Sequence, residues 1–289
     1  MSQIQHRIAV ITGGANGIGR LMSLELVRRG ARVVVLDIDE QRLAAIAKEL
    51  AAATPPQSGA THHTYRCDIS RRQAVIDTAA RIDEEVGAVD ILINNAGIVS
   101  GQSLLEISPE AIERTMGVNT MSLFWTARAF LPGMLERNRG HIVTIASAAG
   151  VIGVSKLTDY CASKFAAVGF DESLRMELKR LDSDVNTTLV CPYFIDTGMF
   201  DGVRTRFPLL LPILKEEYVA RRVVGAISKN KQRLIMPRMV HYVSFLRLLP
   251  VAWFDRLANW LGINISMDHF VGHGLKKCDK TDLADPHAA

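Results

Sequence analysis

The sequence predicts an α/β protein in which one doubly wound parallel sheet carries helices on both faces and a helical extension follows at the C-terminal end. Two observations predict this architecture. From Arg7 to Cys191, short apolar runs alternate with longer amphipathic stretches, which is the element order of parallel sheets. The apolar runs are rich in β-branched residues and nearly continuous, as expected for strands that are covered on both faces.

Each element follows from its local pattern. The run RIAVIT leads into an amphipathic stretch that ends at Gly30, and Pro55 and Pro56 mark a loop. We expect strands at Arg7–Thr12, Arg32–Asp37, His63–Cys67, Asp90–Ile93, His141–Ala146 and Val185–Cys191. We expect helices at Gly17–Arg29, Glu40–Ala53, Arg71–Val86 and Asp159–Arg180, with one or two more in Pro109–Arg137.

Nothing in the chain marks a second domain, because it has neither internal repeats nor a long low-complexity linker. Its 289 residues are enough for a sizeable core. We therefore expect a single dinucleotide-binding catalytic domain over residues 1–289. Its core would span 5–200, an extension at 201–275 would cover the substrate, and 276–289 would form a flexible tail.

The net charge of +4 hides an uneven distribution. Residues 201–250 hold ten Lys or Arg and three acidic residues, a net charge of +7, so the rest of the chain carries −3. A solvated basic face explains this excess, and contact with an anionic membrane surface is the alternative. Nucleic-acid binding is not expected, because no recognition motif or interleaved aromatic residues accompany the charge.

The same part of the chain is also apolar. Met239–Leu249 is interrupted only by His241, Ser244 and Arg247, and a helical pattern of apolar residues begins at Trp253. No such run is long enough to span a bilayer. Two interpretations stay open, namely a core or subunit interface and a greasy substrate entrance that rests on a membrane.

Cysteine usage bears on the compartment. Cys67, Cys161, Cys191 and Cys278 lack the paired spacing of metal sites, so we expect free thiols in a reducing compartment and no metal centre. The N-terminus MSQIQHR enters the first strand almost at once, so we expect no signal peptide or leading anchor. These patterns predict a cytoplasmic protein, with peripheral membrane contact as an option.

A glycine-rich turn, TGGANGIG from Thr12 to Gly19, follows the first strand and opens the first helix. Gly13 and Gly17 let the backbone turn tightly and approach a pyrophosphate, to which the helix N-terminus offers amide donors. Asp37 ends the second strand, where a carboxylate accepts hydrogen bonds from ribose hydroxyls and repels a 2′-phosphate. The pattern predicts a Rossmann-type site for NAD rather than NADP.

Tyr160 and Lys164 lie four residues apart, which places both side chains on one face of a helix. A nearby ammonium favours the phenolate, so it lowers the pKa of the tyrosine from its free value of about 10. With Ser147 and Asn119 upstream, the pair predicts proton transfer to or from an alcohol or carbonyl oxygen.

Together these motifs resemble the classical short-chain dehydrogenase/reductase family over residues 5–200. The resemblance implies a catalytic tetrad: Tyr160 as acid or base, Lys164 lowering its pKa and binding the nicotinamide ribose, Ser147 holding the substrate oxygen, and Asn119 fixing a water. The implied cofactor-binding residues are Thr12, Gly13, Asn16, Gly17, Ile18, Gly19, Asp37, Asp68, Ile69, Asn95, Ala96, Gly97, Tyr160, Lys164, Pro192, Ile195 and Thr197. Tyr193 departs from the glycine that usually follows this proline.

A finer resemblance lies in CPYFIDTGMF, the MPR around Pro237, and SMDHFVG. These segments are similar to the branch with epidermal-type retinol dehydrogenases and lipid-droplet 17-beta-hydroxysteroid dehydrogenases. The segments expected to line the pocket, Ser147–Tyr160 and 200–215, are largely apolar, which favours a lipophilic secondary alcohol or its ketone. The family also implies a homodimer or homotetramer through helices around 108–137 and 158–181.

Two other functions fit parts of the pattern. A carbonyl or ketoacyl-type reductase would share the fold and the tetrad. A dinucleotide-sensing binding protein without turnover is the alternative from another class, but such proteins usually lose the catalytic tyrosine or lysine, and Tyr160 and Lys164 are both present. His241, His269 and His273 are expected to be surface or core residues.

Overall fold

The computed structural model describes residues 4–56 and 59–271. The predicted flexible tail at 276–289, with Cys278, lies outside the described residues, as does His273. Seven parallel strands form one sheet in the order β3-β2-β1-β4-β5-β6-β7. They are β1 Ile8–Thr12, β2 Arg32–Asp37, β3 His63–Arg66, β4 Ile91–Asn94, β5 His141–Ile145, β6 Asn186–Pro192 and β7 Arg233–Met236.

Helices connect these strands, and two of them follow the last strand. They are α1 Gly17–Arg28, α2 Glu40–Ala53, α3 Arg72–Glu85, α4 Pro109–Met116, α5 Ser122–Glu136, α6 Thr158–Arg180, α7 Glu216–Ser228, α8 Val243–Leu246 and α9 Val251–Trp260. A π turn, Gly117–Met121, joins α4 to α5, so the predicted range Pro109–Arg137 holds two helices. Short 3-10 turns lie at Ala148–Gly150 and Arg238–Tyr242.

The sheet separates two apolar clusters, as alternate residues of β2 illustrate. Val33 and Val35 pack with residues of α1, α2 and α7 on one face. Val34 and Leu36 pack with residues of α3, α5 and α6 on the other face. Both faces are therefore covered, which explains why the strands are continuously apolar rather than alternating. The predicted doubly wound sheet is confirmed.

After β6, the chain adds one more strand to the sheet and one more helix to the layer that covers it. Helix α7 packs against α1 through Val219, Val223 and Ile227, and β7 adds a parallel edge strand to β6. The chain then forms the turn Arg238–Tyr242 and the helices α8 and α9. Within the described ranges, no helix has the length and apolar character needed to cross a bilayer.

Candidate active site

The glycine-rich turn is packed so tightly that larger residues would not fit. Gly13 has a φ of 59°, and a Cβ there would lie 2.9 Å from the Cα of Ala96. A Cβ on Gly19 would collide with the carbonyl oxygen of Gly13 and the Nδ2 atom of Asn95. The turn therefore brings bare backbone to the N-terminus of α1, the arrangement that admits a pyrophosphate.

The loop after β4 is tied to this turn. The Nδ2 atom of Asn95 donates to the carbonyl oxygens of Thr12 and Gly13, both at 3.0 Å. In return, the Thr12 hydroxyl oxygen accepts from the backbone N–H groups of Asn95 and Ala96 at 3.0 and 3.1 Å. Thr12 thus joins the ends of two adjacent strands.

Two carboxylates follow β2 and β3. Asp37 accepts backbone N–H groups from Ala15 at 3.2 Å, Ile38 at 2.8 Å and Asp39 at 3.2 Å. These bonds hold its carboxylate beside the glycine-rich turn. Asp68 accepts from the N–H and the hydroxyl of Ser70 at 3.1 and 2.6 Å, so its loop is fixed in the same way.

Asn119 lies in the π turn, a feature that often marks functional sites. Its Oδ1 atom accepts the Ile98 N–H at 2.8 Å, and its Nδ2 atom donates to the Ile98 carbonyl at 2.9 Å and the Ser163 hydroxyl at 3.0 Å. Ser163 in turn donates to the Tyr160 carbonyl at 2.7 Å. Asn119 therefore connects the loop after β4 to the first turns of α6.

Tyr160 and Lys164 are both buried on α6. The Lys164 ammonium donates to the Ile145 carbonyl at 2.9 Å and lies 5.6 Å from the centre of the Tyr160 ring. Ser147, the second residue after β5, accepts the Ala149 N–H at 3.1 Å. The sequence-predicted hydroxyl, phenol and ammonium thus meet at one point.

Burial is the largest influence on the pKa values of Tyr160 and Lys164. It raises the pKa of Tyr160, and a hydrogen bond with Ser147 offsets only part of that rise. Burial also lowers the pKa of Lys164 to about 8. The net shift is upward because desolvation disfavours the charged phenolate. The lowering of the pKa of Tyr160 by Lys164 stays a prediction.

One continuous cavity of about 650 Å³ runs along the carboxyl ends of the strands. It reaches from Asp37 at one end, past Tyr160, to the apolar C-terminal segment. The predicted residues that line it are Gly13, Asn16, Gly17, Ile18, Gly19, Asp37, Asp68, Ile69, Asn95, Ala96, Gly97, Ser147, Tyr160, Lys164, Pro192, Ile195 and Thr197. Thr12 and Asn119 do not line it, because both side chains are buried behind the wall, where they bond backbone.

This fold agrees with comparisons to known proteins. A family model described as short chain dehydrogenase matches residues 7–206. The chain belongs to this family. It is 47% identical to short-chain dehydrogenase/reductase family 16C member 6 of Bos taurus, over 91% of this chain and 83% of that protein. It is 42% identical to epidermal retinol dehydrogenase 2 of Mus musculus, over 93% and 86%.

Solved structures of short-chain dehydrogenases share the fold. One from Burkholderia phymatum, in complex with NAD, is 30% identical with a TM-score of 0.76, over 86% of this chain and 95% of that one. A metagenomic short-chain oxidoreductase, in complex with NADP, is 29% identical with a TM-score of 0.66, over 81% and 96%. The predicted resemblance to the family and to its retinol dehydrogenase branch is confirmed.

The apolar part of this short-chain dehydrogenase's cavity extends beyond the two segments expected to line it, Ser147–Tyr160 and 200–215. Phe200 stands edge-on to Tyr160, with ring centres 5.8 Å apart, and Phe194 stands edge-on to Phe200 at 5.1 Å. Across the cavity, the C-terminal residues Met239, Tyr242, Val243, Leu246, Leu261 and Ile263 supply a further wall. The aromatic spacing in CPYFIDTGMF was the available signal for the first group. The position of the second group in the cavity wall depends on the path of the chain after β7, which a local sequence pattern does not show.

The remaining predictions concern the histidines, a metal centre and the two segments expected to line the pocket. His241 and His269 do not line it. The described residues contain no cluster of His, Cys, Asp and Glu that could hold a metal ion. The stretches predicted to line the pocket do so through Ala148, Ala149, Ile152, Val154, Leu157, Leu210 and Leu211.

Proposed function

We propose that this short-chain dehydrogenase is an NAD-preferring oxidoreductase that interconverts a lipophilic secondary alcohol and its carbonyl compound. The observation that carries the proposal is the continuous cavity. It has a glycine-rich turn and Asp37 at one end, Ser147, Tyr160 and Lys164 at its centre, and apolar walls at the other end.

The tetrad residues have distinct roles in this proposal. Tyr160 takes the proton of the alcohol hydroxyl, or returns it in the reverse direction. Ser147 holds the same oxygen by a hydrogen bond. When bound, nicotinamide supplies the acceptor or donor of the hydride. Lys164, whose pKa burial lowers to about 8, holds the nicotinamide ribose and places its ammonium beside the phenol.

Asn119 acts as a positioning residue. Both hydrogens of its amide are committed, to the Ile98 carbonyl and to the Ser163 hydroxyl. Because Ser163 also bonds the Tyr160 carbonyl, Asn119 keeps the loop after β4 at a set distance from α6. The water that Asn119 is expected to fix beside Lys164 stays a prediction.

The preference for NAD rests on Asp37. Its carboxylate lines the adenosine end of the cavity and is held there by three backbone N–H groups. Arg42 is the basic residue nearest to it along α2, and its guanidinium pairs with Asp39 at 3.2 Å. A 2′-phosphate would therefore meet a fixed negative charge.

Apolar side chains support the lipophilic substrate. The walls beyond Tyr160 include Phe194, Phe200 and Leu210, together with Val243 and Leu246 from α8. These side chains offer few hydrogen bonds and much apolar surface. The names of relatives, such as epidermal retinol dehydrogenase 2 and retinol dehydrogenase 10 of Homo sapiens, support a lipophilic alcohol. Retinol is a primary alcohol, so the choice of a secondary alcohol does not rest on these names.

Replacement of Tyr160 tests the catalytic part of the proposal. Tyr160→Phe keeps the ring but removes the hydroxyl, so we expect turnover to fall by about 10²–10⁴-fold. NADH binding, followed by its fluorescence, should stay within about threefold of the parent. Tyr218→Phe removes the same hydroxyl from an exposed tyrosine on α7 and serves as the matched control.

The assay follows NADH formation with a panel of alcohols, from small aromatic carbinols to retinol, steroids and long-chain secondary alcohols, with NADP in parallel. Turnover of Tyr160→Phe within tenfold of the parent would refute the assignment. NADH binding without oxidation of any alcohol, but with reduction of ketones, would favour the carbonyl reductase.

Assembly and location are also proposals. Phe124 on α5 and Phe165 and Met176 on α6 are partly exposed apolar residues on the helices through which we expect a homodimer or homotetramer. A monomeric mass by light scattering at micromolar concentration would contradict this. Three buried free cysteines, Cys67, Cys161 and Cys191, support the predicted cytoplasmic location.

A further inference from the structure

The segment from Arg238 to Trp260 presents large apolar side chains to its surroundings. Phe245 is 70% exposed, Leu248 84%, Val251 75% and Trp253 64%. We call these four residues the outer C-terminal face. They recur every two or three residues along α8 and the start of α9, so they belong to one segment and are not exposed residues scattered over the surface.

The opposite side of the same segment lines the catalytic cavity. Met239, Val243 and Leu246 recur at the spacing of one helical face and contribute to the cavity wall. Tyr242 both lines the cavity and is exposed, so it lies at the rim. A helix at a water surface normally carries polar residues on its outer side. Here both sides are apolar, and the outer one lacks a covering element among the described residues.

An excess of positive charge accompanies the outer C-terminal face. Arg238, Arg247 and Arg256 are exposed, and Asp255 is the one acidic residue between 238 and 260. None of the ion pairs found in the described part of the chain involves these arginines. Arg247 instead donates to the Val151 carbonyl at 3.0 Å, which positions its charge without neutralising it.

We propose that the outer C-terminal face docks the protein on an anionic phospholipid surface, with the rim of the catalytic cavity turned toward the lipid. Exposed aromatic and aliphatic side chains interleaved with unpaired arginines are the composition that inserts at the boundary between headgroups and acyl chains. The docking does not require catalysis. Its use, delivery of a lipophilic substrate from the lipid into the cavity, rests on the proposed function.

A second copy of the chain would cover this face less well. In a twofold dimer the same patch meets itself, so Arg247 and Arg256 would be brought toward their own copies with one acidic residue per chain to offset them. Like charges placed together across an interface are unfavourable. Anionic headgroups satisfy both the apolar surface and the charge.

Vesicle flotation tests the docking with the full chain. Vesicles of phosphatidylcholine alone are compared with vesicles that also contain phosphatidylglycerol, at low and high salt. We expect flotation with the anionic vesicles and its loss at high salt. Phe245→Ser with Leu248→Ser, and separately Arg238→Gln with Arg256→Gln, should each weaken binding on the order of tenfold or more.

Two matched variants control for general effects. Ile76→Ser with Leu181→Ser removes exposed apolar side chains from α3 and from the end of α6. Arg221→Gln with Lys229→Gln removes two exposed charges at α7. Both should float like the parent.

Other outcomes overturn the inference. The first is that the folded protein does not float with anionic vesicles at low salt. The second is that neither outer-face variant reduces flotation. The third is that Phe245→Ser with Leu248→Ser changes the molecular mass and not the flotation, which would assign the face to a second copy. Turnover with the full panel of alcohols from the assay above is measured on every variant. Absent turnover with patch-dependent flotation would refute the proposed function and leave the docking intact.

Discussion

His141, the first residue of β5, has an imidazole that the fold keeps neutral. The side chain is 1% exposed. Its Nε2 atom lies 2.7 Å from the Thr188 hydroxyl oxygen, and that hydroxyl donates to the Lys231 carbonyl at 2.8 Å. Nε2 must therefore carry the hydrogen. Nδ1 has no partner among the described residues, so a second proton would create a buried cation with nothing to receive its hydrogen bond.

Burial lowers the pKa of His141 from 6.5 to about 4. Because the unfolded chain binds the proton more readily, protonation favours unfolding once the pH falls below the unfolded pKa. By linkage, His141 should remove about 2 kcal/mol of stability between pH 8 and pH 5, and about 3 kcal/mol below pH 4. The loss is absent above about pH 7.5, where both states are neutral.

The variant His141→Gln removes the titrating group and keeps an amide that can donate to Thr188. We expect urea unfolding to show that the parent loses about 2 kcal/mol more than this variant between pH 8 and pH 5. His269→Gln, at an exposed position, is the control. Equal pH dependence in the parent and His141→Gln, within about 0.5 kcal/mol, would refute the reasoning.

Two further predictions concern the cofactor end. Asp37→Ser removes the charge that a 2′-phosphate would meet, so the ratio of kcat/KM for NADP to that for NAD should rise on the order of a hundredfold; an unchanged ratio would contradict the assignment of Asp37. Gly19→Ala places a methyl group against the Gly13 carbonyl, and NADH titration should show at least about tenfold weaker binding. In Gly225→Ala, where a Cβ meets no atom within 4 Å, binding should persist and helix α7 should gain up to about 1 kcal/mol; parental binding by Gly19→Ala would show that the turn adapts.

Periodicity located most of the sheet because each strand carries its own signal. The predicted Arg32–Asp37 coincides with β2, and the predicted His141–Ala146 exceeds β5 by one residue. β7 was not predicted, because Arg233–Met236 is only four residues long and begins with an exposed arginine. Its strand character depends on pairing with β6, which a local pattern does not contain.

The site separates in the same way into local and non-local parts. The glycine-rich turn and Asp37 are short motifs with defined positions at strand ends, so the sequence could place them. The sequence could not show which motif residues reach the cavity. Thr12 and Asn119 belong to the same motifs, yet they lie behind the cavity wall. The high proton affinity of Tyr160 also depends on burial by distant segments such as that of Phe200.

The π turn between α4 and α5 has a geometric consequence. A residue added to an α-helix rotates the side chains that follow it by about 100° around the helix axis. The π turn therefore rotates the buried face of α5 relative to that of α4. The buried residues of α4 and of α5 then face different neighbours, and Asn119 lies in the π turn between the two helices. The range Pro109–Arg137, for which the sequence left one or two helices open, thus forms two helices, and the amide of Asn119 lies at their junction.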